Sequence, residues 1–266
     1  MSERSSYSPG IPCWVELSGT PDVEVAEAFY RELLGWEMPE LENSAQLGGY
    51  RRAKLDGRDV AGVSPRMEDG QPTVWATYVS VEDAAATLVK AGEAGGTVIV
   101  EPLDVMGLGT MAVFSDPTGA VCGVWQAGTF AGAELVNEYG AFGWNELGTR
   151  DVAAAKAFYA AVFGWGYEDE DMGEMGVYTI IKVGEAIAGG MLDLSGRVPD
   201  EVSPHWLTCF TVENYDEAVA AIESGGGAVV NGPLDIRPGR MAVVNDSFGA
   251  VFAVMQPSAE TLENAP

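Results

Sequence analysis

The sequence predicts an α+β fold in which two copies of one domain follow each other. Each copy is built from two βαβββ modules that form a curved, cup-shaped mixed sheet. The main observation is an internal repeat, because WVELSGTPDVEVAEAFYRELLGW at 14–36 returns as WNELGTRDVAAAKAFYAAVFGW at 144–165. The segment MAVFSDPTGAV at 111–121 returns at the same offset as MAVVNDSFGAV at 241–251. Blocks kept in register in this way indicate two copies of one fold. Since helical and strand patterns do not alternate one for one, a doubly wound parallel sheet is not expected.

The first copy opens with a strand and a helix. CWVEL alternates as a strand, Asp22 is a candidate helix N-cap, and Gly35 is a candidate left-handed C-cap. After the helix, YRRAKLDG and VAGVSP predict two strands joined by a turn at Asp56 and Gly57. The remaining elements of this copy are the strand VWATYVSV, a helix over 82–94, and the strands TVIVEPLDV, TMAVFSDP and AVCGVWQ.

The second copy repeats this order of elements. They are WNEL, a helix over 151–163, VYTIIKVG, AIAGGMLDL, WLTCFTV, a helix over 213–224, AVVNGPLDI, RMAVVND and AVFAVMQ. We therefore expect an N-terminal domain at 10–127, a linker at 128–140 and a C-terminal domain at 141–258. The mixed apolar content of the linker predicts that it packs across the copies, and the final SAETLENAP is typical of a frayed tail. Two βαβββ modules give each copy an expected eight strands and two helices, of which seven strands are located above, with a concave face suited to a ligand.

Composition limits the class of partner. The chain has 266 residues with 14 Lys and Arg against 40 Asp and Glu, a net charge of −26. Such a charge repels nucleic-acid phosphates and anionic membranes, so neither is an expected partner. The three cysteines form no CxxC pair and no disulfide framework, which favours a reducing compartment. With no signal-peptide pattern and no apolar run long enough to span a membrane, a cytoplasmic location is expected.

The repeated motifs carry a family resemblance. The openings that end in AFYRELLGW and AFYAAVFGW, with the terminal SDPTGAVCGVWQ and NDSFGAVFAVMQ, resemble the vicinal oxygen chelate superfamily over roughly residues 10–257. That superfamily includes glyoxalase I, extradiol dioxygenases and bleomycin-resistance proteins. The tandem form is most similar to actinobacterial two-domain glyoxalase-like proteins, some of which are auxiliary proteins of antibiotic biosynthesis. The resemblance implies a cup-shaped fold, whereas function must be argued from the site.

The resemblance also implies where metal ligands would lie. Metal-using members place them on the first strand, on the strand after the central loop, and as a Glu near the end of the last strand. The corresponding positions in this chain are Trp14, Ala76 and Gly123 in the first copy, and Trp144, Leu207 and Ala253 in the second. None of these side chains carries the imidazole, carboxylate or thiolate that metal ions need. We therefore expect no metal of the family type and no other cofactor.

Two carboxylates are the leading candidates for chemistry. Glu16 shares a strand face with Trp14, and Glu146 shares one with Trp144, because strands alternate their side chains. By the family pattern this face lines the cup. A carboxylate among apolar walls has a raised pKa and can act as a general base or acid. The alternative is a structural carboxylate that appears in both copies because the fold requires it.

Aromatic residues and the single histidine complete the candidate ligand site. Trp14, Trp144, Trp75 and Trp206 are predicted walls for a flat ligand, with a role in the core as the alternative. Tyr78 is replaced by Cys209 in the second copy, which makes its hydroxyl a candidate for orienting a ligand; a core tyrosine is the alternative. His205 is a candidate proton shuttle if it lies at the rim of the cup, and otherwise a surface residue.

Two functions are consistent with these residues. The first is binding of a small aromatic or polyketide-like molecule without metal, in antibiotic biosynthesis or resistance. The alternative is a glyoxalase-like lyase or isomerase, or a hydroxylase-associated enzyme, that uses Glu16 or Glu146 as a general base. In both cases the two domains pair within the chain, and a homodimer remains open.

Overall fold

The computed structural model describes residues 3–41, 46–173 and 176–263, and it contains one curved mixed sheet for each repeat. In the first repeat the elements are β1 Pro12–Thr20, α1 Val23–Leu34, β2 Arg51–Leu55, β3 Arg58–Pro65, β4 Val74–Ser80, α2 Ala84–Glu93, β5 Thr97–Asp104, β6 Gly109–Ser115 and β7 Val121–Ala127. In the second they are β8 Phe142–Thr149, α3 Val152–Phe163, β9 Gly166–Asp171, β10 Val177–Val183, β11 Ala186–Asp193, β12 His205–Thr211, α4 Tyr215–Ser224, β13 Ala228–Ile236, β14 Gly239–Asn245 and β15 Val251–Pro257. A short helix, α5 Ala259–Glu263, follows.

The order of the strands confirms the predicted α+β tandem fold. The first sheet runs β2-β3-β1-β4-β7-β6-β5 and the second runs β13-β14-β15-β12-β8-β11-β10-β9. In each sheet the opening strands of the two modules pair antiparallel, β1 with β4 and β8 with β12. The last strand of a module lies parallel to its first, as β3 does with β1. The described part of the first sheet has seven strands instead of eight, because a single bridge between Glu37 and Lys54 stands where the second sheet has β9.

Helix α1 begins and ends at its predicted caps, and α3 is bounded in the same way. Asp22 accepts a hydrogen bond from the Val25 backbone N–H at 3.1 Å, and Gly35 ends α1 with φ 74°. Asp151 and Gly164 do the same for α3, with a φ of 72° at Gly164. Helices α2 and α4 start two residues later than predicted, since the N-caps are Asp83 and Asn214.

The two sheets pack against each other through the faces that carry the helices. At the centre, the Thr77 hydroxyl of β4 donates to the Asn145 side chain of β8 at 2.8 Å, and both residues are buried. Around this contact, α1 packs beside α4 and α2 beside α3. Successive strand residues point to opposite faces, so Glu16 and Glu146 project from the outer faces of the two sheets. The cups therefore open away from each other.

Two indoles join the halves in a nearly symmetric way. The Trp36 indole N–H donates to the Gly140 carbonyl at 2.6 Å, and the Trp165 indole N–H donates to the Gly10 carbonyl at 2.8 Å. Between Gly128 and Ala141 the linker contributes buried apolar side chains to the core, Leu135 and Val136 among them. It packs across the copies, as its composition predicts.

The tail corrects one expectation. Residues 259–263 of the segment predicted to fray form α5 instead, because the Ser258 hydroxyl accepts a hydrogen bond from the Thr261 backbone N–H at 3.2 Å and caps the helix. The last three residues of that segment, 264–266, lie outside the described residues. The Thr261 hydroxyl also donates to the Pro238 carbonyl at 2.9 Å. Within the described residues, no helix is long and apolar enough to cross a membrane.

Candidate functional site

The concave face of the second repeat holds a chain of three hydrogen-bonding side chains. The Trp144 indole N–H donates to the Tyr178 hydroxyl at 2.9 Å, and that hydroxyl donates to the Glu146 carboxyl at 2.7 Å. The tyrosine reaches Glu146 by passing over Gly190, where an added Cβ would overlap the phenol oxygen. The indole and the carboxyl are thereby fixed in orientation relative to each other.

The first repeat builds the same arrangement with one change. The Trp14 indole N–H donates to the Tyr50 hydroxyl at 3.0 Å, and Tyr50 passes over Gly62, which again has no room for a Cβ. The Glu16 carboxyl, however, accepts its hydrogen bond from the Ser64 hydroxyl at 2.8 Å. Sequence analysis missed both tyrosines. The sequence contains the signal for them. Each repeat has a Tyr in its second predicted strand, YRRAKLDG or VYTIIKVG, and a Gly in the next predicted strand, VAGVSP or AIAGGMLDL.

The environment of the two carboxyls favours the protonated form. Both are half-buried, and burial raises the pKa of Glu16 to about 7, an effect only partly opposed by the hydrogen bond from Ser64. Burial also raises the pKa of Glu146, while the Tyr178 hydrogen bond and the charge of Arg197 act in the opposite direction. A carboxyl that titrates near neutral pH can both donate and accept a proton.

The raised pKa of Glu16 predicts a pH-dependent effect on stability. The folded protein binds this proton more tightly than the unfolded chain does, so the resulting stabilisation is present at low pH and is lost as pH rises toward 7. We expect Glu16→Gln to match the wild type at pH 5 and to be more stable by about 2 kcal/mol at pH 8, after allowing for solvent screening at a half-buried site. Urea unfolding at both pH values measures this difference. A variant that is equally stable or less stable than the wild type at pH 8 contradicts it.

The two cups differ in one pair of facing residues. In the first repeat Tyr78 lies opposite Trp14, and its ring lies over Gly123, where an added Cβ would overlap the ring. In the second repeat the corresponding pair is Cys209 and Ala253. The Tyr78 phenol therefore occupies part of the first cup where the second has the smaller side chain of Cys209.

The two cups also differ in what covers them. In the first repeat the linker residue Phe130 packs edge-on against Trp14, with ring centroids 5.0 Å apart, and Trp14 is only 5% exposed. In the second repeat Trp144 is half-buried. It belongs to a small apolar cluster with Leu207, Cys209, Met241, Val243, Ala253 and Met255. The second cup thus presents an accessible indole beside an apolar floor.

The remaining predicted residues divide between the two faces of the sheets. His205 opens β12 on the same face as Leu207 and Cys209, which places it at the rim of the second cup, and its Nδ1 lies 2.8 Å from the Ser203 carbonyl oxygen. Trp75 and Trp206 lie on the opposite face. Their indole N–H groups donate to the hydroxyls of Tyr30 and Tyr159, in the core between the sheets and the helices. We correct their placement accordingly, and neither lines a cup.

Comparison with known proteins decides the family. The model for the "Glyoxalase/Bleomycin resistance protein/Dioxygenase superfamily" matches residues 17–122 and 141–254. The chain belongs to this superfamily. It is 37% identical over 264 residues to the Mycobacterium tuberculosis (strain CDC 1551 / Oshkosh) protein named "Putative glyoxylase CFP32", covering 98% of this chain and all of that one.

Two further similarities extend the comparison within the superfamily. The chain is 37% identical over 265 residues to the "Anthracycline biosynthesis protein DnrV" of Streptomyces peucetius, with 94% of each chain covered. Among solved structures, the Mn(II)-bound glyoxalase from Novosphingobium aromaticivorans superposes with a TM-score of 0.62 at 18% identity, covering 96% of this chain and 83% of that one. At this level of identity the superposition shows a shared fold.

The side chains of this superfamily member do not fit the family's metal site. The positions that the resemblance to metal-using members assigns to ligands hold Trp, Ala and Gly in the first repeat and Trp, Leu and Ala in the second. Within residues 3–41, 46–173 and 176–263, no three His, Cys, Asp or Glu side chains come together in a way that could hold a metal ion. Glu16 in the first cup, and Glu146 with Cys209 and the rim residue His205 in the second, do not form such a group.

Proposed function

We propose that the second cup binds a flat, largely apolar organic molecule, of the aromatic or polyketide class, in antibiotic biosynthesis or resistance. The observation that carries this proposal is the half-buried Trp144 indole, held by Tyr178 beside the apolar floor of the second cup. An oriented aromatic wall over an apolar surface is the usual construction of a site for planar ligands.

The rest of the second cup supports the same class of ligand. Met241 and Met255 supply flexible, polarisable contacts that adapt to a ring system. Glu146 and Tyr178 place a hydrogen-bonding pair beside the indole, suited to a ligand hydroxyl or carbonyl. The net charge of −26 disfavours anionic ligands. The similarity to a protein named for anthracycline biosynthesis agrees with this class.

Calorimetric titration with a neutral hydroxyanthraquinone tests the proposal. We expect Trp144→Leu to weaken binding about tenfold or more, since loss of an aromatic contact worth about 1.4 kcal/mol corresponds to that factor. The matched variant Trp14→Leu, which changes the covered cup, should bind as the wild type does. A neutral probe avoids nonspecific attraction of cationic drugs to the acidic surface, and repetition at high salt checks this. Equal effects of the two variants, or no binding by the wild type, would refute the proposal.

A second candidate function rests on Glu16 and Glu146, because burial raises the pKa of both carboxyls, to about 7 in the case of Glu16. A base with a pKa near 7 is suited to removing a proton from a carbon beside a carbonyl and returning it to a neighbouring atom, as a lyase or isomerase does. The test is turnover of the methylglyoxal–glutathione hemithioacetal, with and without added divalent metal. An activity that falls about 100-fold or more in Glu146→Gln or Glu16→Gln supports this function. Absence of turnover under both conditions leaves binding as the proposed role.

A further inference from the structure

The linker residue Phe130 lies on the outer face of the first sheet. Its ring contacts Trp14 edge-on at 5.0 Å and Trp125 at 6.1 Å, both between centroids. The Arg52 guanidinium lies over the same ring, 5.3 Å from its centroid. Edge-on aromatic contacts and a cation over a ring face are the interactions by which proteins hold aromatic ligands.

Main-chain hydrogen bonds fix Phe130 in this position. Its N–H donates to the Leu108 carbonyl at 3.0 Å, and its carbonyl accepts from the Trp125 indole N–H at 2.9 Å. Three residues on, the Ala133 N–H donates to the Cys13 carbonyl at 2.8 Å. The segment therefore crosses the cup as a fastened strap, with its one aromatic ring turned onto the sheet.

The second repeat starts its exit from the sheet in the same way and then diverges. The Ser258 N–H donates to the Pro238 carbonyl at 2.9 Å, as the Gly128 N–H does to the Leu108 carbonyl in the first repeat. The chain then turns into α5, and Trp144 stays half-buried while Trp14 is covered. The difference between the cups thus begins at the first residues after the last strand.

We propose that Phe130 is a built-in occupant of the first cup, which is itself a binding site for a single aromatic ring kept closed by the linker. The chain therefore offers one open aromatic site, and a ligand for the first cup must displace Phe130. This inference rests on the proposed function in one respect, because it treats the first cup as the same kind of aromatic binding site as the second.

Truncation of Phe130 tests the inference directly. Phe130→Ala leaves an apolar space beside Trp14 and Trp125, and such spaces take up benzene-sized molecules. The probe is fluorobenzene, followed through the indole N–H resonances of the ¹⁵N-labelled protein, which has seven tryptophans. We expect fluorobenzene to shift the Trp14 and Trp125 resonances of Phe130→Ala at concentrations at least about tenfold lower than in the wild type.

Phe163→Ala is the matched control. Phe163 is also half-buried and packs against a tryptophan, Trp165, at 4.9 Å, but it is the last residue of α3 and packs against the core instead of lining a cup. In this variant the Trp14 and Trp125 resonances should respond as in the wild type. The inference is overturned if fluorobenzene leaves these two resonances of Phe130→Ala unmoved, or if it shifts them equally in the wild type.

The readout separates this inference from the proposed function. Binding in the second cup is reported by the Trp144 resonance with the hydroxyanthraquinone probe, whereas the first cup is reported by Trp14 and Trp125 with fluorobenzene. A silent Trp144 with responding Trp14 and Trp125 would refute the proposed function and keep the self-occupied cup. The opposite pattern would refute only the self-occupied cup.

Discussion

Replacing Cys209 by Tyr and Ala253 by Gly together is expected to close the second cup and to weaken binding of the hydroxyanthraquinone about 100-fold or more. These substitutions transplant the pair Tyr78 and Gly123 from the first repeat, where the phenol ring lies over the glycine. A tyrosine opposite Trp144 would occupy the space beside the indole that the ligand needs. A 100-fold loss corresponds to about 2.7 kcal/mol, which is the range expected for losing the main aromatic contact and part of the apolar floor.

Two controls define this experiment. Cys209→Tyr alone should lower stability by about 1–3 kcal/mol, because the Ala253 methyl group obstructs the ring, and Ala253→Gly should recover most of that loss. The reverse exchange in the first cup, Tyr78→Cys with Gly123→Ala, should leave ligand affinity unchanged. A folded Cys209→Tyr, Ala253→Gly protein that binds like the wild type would show that the ligand lies elsewhere.

Trp36→Ala is expected to produce the largest loss of stability, about 4–5 kcal/mol. The side chain is fully buried, stacks on Tyr30 at 5.4 Å and meets Phe210 of the second repeat edge-on at 5.4 Å. Its removal leaves a large cavity and an unpaired carbonyl at Gly140. Because the lost contacts include both repeats, both should unfold at lower urea concentration. Urea unfolding followed by circular dichroism measures the change.

Two other tryptophan variants separate the contributions. Trp36→Phe keeps most of the ring and removes the hydrogen bond, so it should cost about 1–2 kcal/mol. Trp144→Ala removes the same residue type from the half-buried wall of the second cup and should cost clearly less than Trp36→Ala. Equal losses for Trp36→Ala and Trp144→Ala would contradict the role assigned to Trp36 in joining the halves.

The fold was predictable from the sequence because the two repeats can be compared with each other, and the elements found in one are expected in the other. The caps Asp22 and Gly35 act locally, so the bounds of α1 follow from its own residues. The shared face of Glu16 and Trp14 also followed, since both lie on one strand with a period of two. The correspondence of Tyr78 with Cys209 likewise agrees with the observed register, in which each lies opposite the tryptophan of its neighbouring first strand.

The rest of the site depends on relations between strands that periodicity does not reveal. Trp75 and Tyr78 lie on one strand, three residues apart, so they point to opposite faces, and only the pairing with β1 shows which face is the cup. Tyr50 and Tyr178 reach the indoles of Trp14 and Trp144 over glycines of a neighbouring strand. Phe130 lies in a segment whose path over the sheet is fixed by main-chain hydrogen bonds. Because this segment is neither a helix nor a strand, no spacing of apolar residues in the sequence predicts where the Phe130 ring lies.

The outward orientation of the two concave faces has a consequence for how such a molecule diverges after duplication. Helices and the Thr77–Asn145 contact secure the halves through their inner surfaces, so changes in one hollow need not disturb the other. Substitutions that line one hollow can then accumulate without changing the Thr77–Asn145 contact or the helix pairs that join the halves.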